Sequence, residues 1–317
     1  MIFTKNKIAI IGAGGMADEY LKVLSKLNNI RIVGICNRTK KNSLKLKRKY
    51  RIEKTFSKIS QMYKETKPDG VIVALSPDIL KKKIKDIFNL NSKYLIEKPV
   101  GLNLKESNYI KKIAKEKKID AYVALNRRYY SSTKYLLNKM KNSKNKKRIV
   151  EVEDQQDQFL NKAIFSKKIL DNYMFVNSIH LIDYFNLFCR GNINKIIRIK
   201  KWENKKKSIF TSYLHYDSGD LGIYRAVWNM PGPWSIKVYS KSGYYKLSPI
   251  EKIFYRKNNS REDKKININY ENDKNFKPGI KLQLNDFLNV INDKKNNLPT
   301  LDVSHKLMSL ISKIYTK

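Results

Sequence analysis

The chain has 317 residues, only two cysteines and a formal net charge of +39, enough length to bury a substantial core and to form two domains. No apolar run approaches the ~20 residues that span a bilayer, and Cys36 and Cys189 stand too far apart for a disulfide or metal framework, so no membrane, no metal site and a reducing, cytoplasmic home are expected. The charge is carried mostly by lysine spread over stretches such as Lys40–Lys49, Lys81–Lys85 and Lys111–Lys118, beside abundant asparagine, isoleucine and tyrosine; A/T-rich coding produces that balance, and specific nucleic-acid binding is not expected.

In chain order, the apolar run Ile8–Ile11 stops at glycine and gives way to helical spacing at Met16, Tyr20, Leu21 and Leu24. The run is too short for a signal peptide, and Asp18 and Glu19 follow at once. Strand, tight turn and helix enclose Gly12-Ala13-Gly14-Gly15-Met16-Ala17, a G-x-G-x-x-A pattern of the kind that binds dinucleotides. Gly12 permits the turn, Gly14 lets backbone approach a pyrophosphate, and Ala17 allows close helix–strand packing. Gly12, Ala13, Gly14, Gly15 and Met16 are therefore candidate cofactor contacts, the phosphates resting on the helix N-terminus.

A second strand, Ile30–Cys36, ends at Asn37-Arg38-Thr39. An acidic residue here would hydrogen-bond the adenosine ribose of NAD. A neutral amide followed by a guanidinium instead suits a 2′-phosphate, so NADP(H) is the favoured cofactor and NAD(H) the alternative. Opening a solvated helix is the plainer role for Arg38.

Val71–Leu75 is a strand covered on both faces, ending at Ser76-Pro77-Asp78; Tyr94–Ile96 ends at Glu97-Lys98-Pro99; Ala121–Ala124 runs into Asn126-Arg127-Arg128-Tyr129. Strands alternating with helices predict a doubly wound parallel sheet over residues 1–124. Ligands sit at the carboxyl ends of such strands, which adds Ser76, Pro77, Glu97 and Lys98 to the cofactor contacts. Lys98 is also the first candidate to exchange a substrate hydroxyl proton.

Past Ala124 the pattern changes. Arg148–Glu153 alternates, and Ile196–Ile199, Ile209–Tyr216, Gly222–Trp228, Ser235–Ser240 and Gly243–Leu247 follow with few helices, predicting a second α+β domain over 125–317 with an open, mostly antiparallel sheet. Lys257–Asn275, polar and charged, reads as a mobile loop.

The glycine loop, Glu97-Lys98-Pro99, Asn126-Arg127-Arg128-Tyr129, Asn177-Ser178-Ile179-His180-Leu181-Ile182-Asp183 and Leu282-Gln283-Leu284-Asn285-Asp286-Phe287 occur in an order that resembles the glucose–fructose oxidoreductase / inositol dehydrogenase (Gfo/Idh/MocA) family. The resemblance implies an NAD(P)-dependent oxidoreductase acting on a secondary hydroxyl or keto group of a sugar, cyclitol or nucleotide-linked sugar, in a pathway such as surface-polysaccharide synthesis. It further implies a homo-oligomer built on the open sheet, Lys98 on the substrate hydroxyl, and His180 as second catalytic residue. A core imidazole is the alternative for His180. The family's sugar dehydrogenases carry an aspartate four positions before this histidine, where this chain has Val176. Valine accepts no hydrogen bond, so either Asn177 substitutes or the proton route differs, and a non-catalytic, cofactor-binding regulator or scaffold stays open as the other class of function. Asp183, one helical turn past His180, is expected to help position the imidazole or to face the core. Arg127, Arg128 and Tyr129 complete the expected substrate contacts, the arginines suiting a carboxylate or phosphate. Trp228 and Trp234, flanking Pro231-Gly232-Pro233, suit either a sugar ring or the core.

Overall fold

Ile8, Ala9, Ile10 and Ile11 are at most 2% exposed and end the first strand, β1 (Asn6–Ile11). A strand apolar at successive positions needs cover on both faces, which a parallel sheet flanked by helices supplies. The computed structural model describes residues 5–141, 147–200, 202–204 and 206–315. After β1 come α1 (Gly15–Leu24), β2 (Ile30–Cys36), α2 (Lys40–Tyr50), β3 (Lys54–Phe56), α3 (Ile59–Thr66), β4 (Gly70–Val73), α4 (Pro77–Ile87), β5 (Lys93–Glu97), α5 (Leu104–Glu116) and β6 (Ala121–Ala124). The strands lie in the order β3-β2-β1-β4-β5-β6, every pair parallel. The winding reverses between β1 and β4, the place where such sheets hold ligands. The edge strand β3 has no sequence signature: of its three residues only Phe56 is buried.

The remaining elements are α6 (Ser131–Lys141), β7 (Ile149–Gln156), α7 (Lys167–Leu170), a π-helical turn at Met174–Ser178 that runs into α8 (Ile179–Phe188), β8 (Ile193–Arg198), β9 (Ser208–Tyr216), β10 (Leu221–Trp228), β11 (Trp234–Ser240), β12 (Gly243–Leu247), β13 (Ile253–Arg256), β14 (Lys264–Lys265), α9 (Glu271–Lys274), α10 (Ile280–Ile291) and α11 (Leu301–Tyr315). Eight strands form a second sheet, β14-β13-β12-β11-β7-β10-β9-β8, antiparallel except where β7 meets β10. Val150, Val152, Tyr224, Ala226, Ile236 and Val238 are fully buried in it, with α8 packed on β7 and β11. The intervening Glu151, Glu153, Arg225 and Lys237 are at least partly exposed and cross-paired, Arg225 to Glu153 at 3.1 Å and Lys237 to Glu153 at 3.0 Å. This is the alternation expected of a one-sided sheet.

The chain divides into two compact units: residues up to Asn126 with Glu271–His305, and Arg127–Tyr270 with the residues from Lys306 on. Segment 271–305, read from sequence as part of the second domain, thus folds with the first. The cause is α10, whose Ile280, Leu284 and Phe287 are fully buried and which packs on α1 and β5. At Gly70 a Cβ would lie 2.5 Å from Ile291 and 3.1 Å from Phe287, so the missing side chain makes room for this helix.

Lys257–Asn275, read as a loop, contains two short elements. Lys264 and Lys265 pair with Tyr255 and Phe254, and Asp263 bridges Arg256 at 2.6 Å. Ladder hydrogen bonds and charge pairing, rather than apolar burial, hold this edge.

Candidate functional site

Where β1 ends, Gly12 donates its N–H to Cys36 O at 2.9 Å with φ +109°. A Cβ there would lie 2.3 Å from the carbonyl oxygen of Ala74, at the end of β4. Only glycine fits this contact between the two strands that flank the reversal. Over Gly14 and Gly15 an added Cβ would meet nothing within 4 Å. Gly14 is the extended N-cap of α1, and no side chain caps the helix. The first-turn N–H groups and the positive end of the helix therefore offer a phosphate cradle with an open outer side, which fits a dinucleotide pyrophosphate. Gly12→Ala is expected to destabilise the fold by about 2 kcal/mol, through positive-φ strain and the carbonyl clash. Thermal unfolding, with cofactor titration beside it, measures both consequences.

At the end of β2, Asn37 donates its amide to Thr39 O at 2.9 Å, and its backbone N–H goes to Phe56 O at 3.0 Å. Arg38 and Thr39 are exposed. No carboxylate occupies this strand end, the position where one would read the ribose. After β4, the Ser76 hydroxyl is taken by Asp78, and Pro77 opens α4.

Lys98 directly follows β5 and is half-buried, while its neighbour Glu97 is buried and accepts a hydrogen bond from the fully buried Tyr20 of α1. Burial raises the Glu97 carboxyl above the usual range, against the hydrogen bond from Tyr20 and the positive charges of Lys98 and Lys277. Glu97, expected as a cofactor contact, is thereby committed to the interior, where it ties β5 to α1. Lys277 was not anticipated. It lies in the returning segment, and its Nζ sits 3.2 Å from Met16 Sδ, which adds a cation beside the phosphate loop. The same segment secures the end of β6: Asn126 donates to Pro278 O at 3.0 Å, and the buried Gln283, with its amide oxygen turned inward, accepts from the N–H groups of Leu125 and Asn126 at 3.2 Å.

In the second unit the Arg127 guanidinium stacks over Trp234 at 4.2 Å from the ring centre. Trp234 in turn donates its indole N–H to Gln155 O at 2.5 Å. Nη1 of Arg127 is buried and has no hydrogen-bond partner among the described residues, so a cation with spare donors stands here. Arg128 behaves otherwise. Its guanidinium grips Asp183 through two hydrogen bonds of 2.6 Å, with side-chain exposures of only 16% and 4%. Arg128, expected to contact substrate, and Asp183, expected to help position the imidazole or to face the core, are thus joined in a buried ion pair. Tyr129 is buried at 3% exposure.

His180, in the first turn of α8, is 7% exposed, and Val176 in the π-helical turn 8%. Asn177 donates its amide to Gln156 Oε1 at 2.8 Å. Trp228 is fully buried against Trp202, Tyr173 and Tyr315 and belongs to the core. Among the described residues no cluster of His, Cys, Asp or Glu could hold a metal, and no helix is long and apolar enough to cross a membrane.

Comparison with known proteins places these features in context. The oxidoreductase family with an NAD-binding Rossmann fold (Gfo/Idh/MocA) matches residues 6–125. Glucose-6-phosphate 3-dehydrogenase of Bacillus subtilis is 28% identical over 125 residues, which are 39% of this chain and 35% of that protein; the match thus spans about a third of the relative. Two solved structures share the fold over nearly the whole length. The UDP-N-acetylglucosamine 3-dehydrogenase of Acidithiobacillus ferrooxidans superposes with a TM-score of 0.77 at 13% identity, covering 98% of this chain and 96% of that one. The WlbA dehydrogenase of Bordetella pertussis, solved with NADH and UDP-GlcNAcA, gives 0.78 at 13% identity, covering 99% and 96%.

Proposed function

Because residues 6–125 match the Gfo/Idh/MocA oxidoreductase family with its NAD-binding Rossmann fold, we propose that the chain is a nicotinamide-dependent oxidoreductase acting on a secondary hydroxyl or keto group of a sugar or nucleotide-linked sugar. The observation that carries this reading is the pairing, within one sheet, of an open glycine cradle at the β1/β4 reversal with a half-buried lysine ending β5. A bound nicotinamide supplies the hydride chemistry; the chain's own residues bind, orient and move the proton.

Gly12, Gly14, Gly15 and Met16 hold the pyrophosphate, with Lys277 adding positive charge beside Met16. Lys98 accepts the hydroxyl proton in oxidation and returns it in reduction. His180 assists from the buried first turn of α8, and Asn177 orients the substrate. Arg127, already stacked on Trp234, takes an anionic group of the substrate, as a phosphorylated or nucleotide-linked sugar would provide. A panel assay following nicotinamide absorbance, with glucose 6-phosphate and UDP-N-acetylglucosamine among the substrates, tests the reading. Absence of turnover with every sugar and both cofactors overturns it.

NADP(H) is the cofactor this chain prefers, because Asn37 and Arg38 replace the carboxylate that would repel a 2′-phosphate. Asn37→Asp is expected to cut catalytic efficiency with NADPH by roughly tenfold while sparing NADH, one lost charge-assisted contact being of that order. Paired initial-rate measurements decide it, and a higher efficiency of the unaltered protein with NADH refutes the preference.

A further inference from the structure

Asp154 of β7 is fully buried, in the middle of a sheet, and neither the nucleotide cradle nor the proton route uses it. A carboxylate in that position is costly unless every lone pair is engaged. One oxygen, Oδ2, accepts from Tyr224 at 2.6 Å, and Tyr224 meets the hydroxyl of Tyr315 at 2.7 Å. Tyr315 in turn lies 3.3 Å from Ser178 Oγ. The other oxygen, Oδ1, accepts from the amide of Gln156, which is 1% exposed. Gln156 Oε1 then accepts from Asn177 at 2.8 Å.

This chain of bonds has a direction. A carboxylate only accepts, so Gln156 must turn its NH2 toward Asp154 and its oxygen toward Asn177. That oxygen obliges Asn177 to donate through Nδ2, so Asn177 Oδ1 is the atom not turned to Gln156. Reversing Gln156 would set oxygen against oxygen at Asp154 and NH2 against NH2 at Asn177, two like contacts in a dry interior. Burial raises the Asp154 carboxyl above its usual range, against the hydrogen bonds from Tyr224, Ser178 and Gln156 and the charge of Arg127. When a proton is present it belongs on the Tyr224 side, where a phenol oxygen can accept it, and the direction of the chain is unchanged.

The geometry points to Asp154 as a positioning residue that acts through Gln156 to hold Asn177 with its oxygen presented as an acceptor for a substrate hydroxyl. Asn177 stands three residues before His180 and next to Val176, whose side chain carries no acceptor atom. This assignment rests on the oxidoreductase reading above. A carboxylate buried two hydrogen bonds away thus does, through two oriented amides, what a carboxylate at position 176 would do directly.

Reversing the chain's polarity tests it. Asn177→Asp supplies an oxygen to the substrate but opposes Gln156 Oε1, so it is expected to lower the melting temperature and to cut kcat/KM at least tenfold. Asp154→Asn can still accept from Gln156 but no longer compels its orientation, so it is expected to lower kcat/KM several-fold with a smaller loss of melting temperature than Asn177→Asp. The double variant Asp154→Asn/Asn177→Asp lets every bond run the other way: the introduced amide at position 154 donates to Gln156, and Gln156 donates to the introduced carboxylate at position 177. It is expected to recover both melting temperature and kcat/KM to within about threefold, a coupling that independent packing defects would not show. An Asn177→Asp variant as stable and active as the unaltered protein overturns the chain. Recovery of stability without recovery of kcat/KM overturns the presentation of Asn177 while leaving the hydrogen bonds intact. Absence of turnover in the unaltered protein overturns the oxidoreductase reading and the role of Asn177 together, and is told apart because the melting-temperature cycle is read without substrate.

Discussion

Lys98→Met is expected to lower kcat by about 10³-fold, with cofactor affinity changed by no more than a few-fold. The side chains are similar in length, so packing at the end of β5 is kept while the ammonium is lost. Proton transfer by a positioned group contributes ~10²–10⁴, and 10³ corresponds to about 4 kcal/mol of barrier. The backbone at this point is held firmly: β5 pairs with β4 and β6 on either side, and the preceding Glu97 is tied to Tyr20. In the proposed function the phosphates rest on the glycine loop Gly12–Met16 and the first turn of α1, so most of the cofactor's hold is independent of the ammonium. Lys98→Arg should not rescue the rate, because a guanidinium keeps its proton at neutral pH. Steady-state rates and a fluorescence titration with NADPH separate the two quantities. A regulator that only senses the cofactor predicts the opposite pattern, with function retained in Lys98→Met.

The first sheet was readable because its signals are local. Ile8–Ile11 is unbrokenly apolar and ends at a glycine pattern, and Ile30–Cys36 was bounded to the residue. Strand ends carry the chemistry in such sheets, and order alone was enough to set Gly12, Asn37, Ser76 and Lys98 just beyond the ends of β1, β2, β4 and β5. What escaped depends on partners far away in sequence. β3 is a strand because Gly34, Ile35 and Cys36 pair with it, and its own three residues say little. The return of 271–305 to the first unit is decided by the fit of Phe287 and Ile291 over Gly70, and Lys277 reaches Met16 only through that return.

The same distinction sorts the second unit. Arg127 and Arg128 are adjacent in sequence and chemically alike, yet one stacks on Trp234 with an Nη1 that has no partner among the described residues, and the other is consumed by Asp183. Nothing local separates them; the partners lie 107 and 55 positions further along the chain. Helical spacing suggested that Asp183 would face His180 one turn earlier, since residues three apart share a face. A bidentate guanidinium is a stronger claimant for a buried carboxylate than a neutral imidazole. The departure at Val176 was visible in the sequence, whereas its structural answer through Asp154 and Gln156 was not, because β7 and the π-helical turn are brought together only by the fold.

Removing one partner of that buried pair, Asp183→Ala, is expected to cost about 3–5 kcal/mol. The guanidinium of Arg128 would be left with little access to water, and Asn186 would lose the acceptor that its amide reaches at 3.3 Å. Arg128→Met alone is expected to be destabilising as well, since it leaves the Asp183 carboxylate buried without its guanidinium partner. The double variant Arg128→Met/Asp183→Leu exchanges two charges for apolar groups of similar size, and such exchanges are often neutral; it should recover most of the stability lost in Asp183→Ala. Chemical denaturation of these proteins, with Asp183→Leu as the matching single variant, closes the cycle, and the coupling should hold between low and high salt because the pair is shielded from counterions. The double variant also decides what Asp183 does for His180. An ion pair that only braces α8 against the segment around Arg128 leaves the pH profile of kcat unchanged once stability is restored. A carboxylate that tuned the imidazole would shift that profile whenever it is removed, however well the protein is folded.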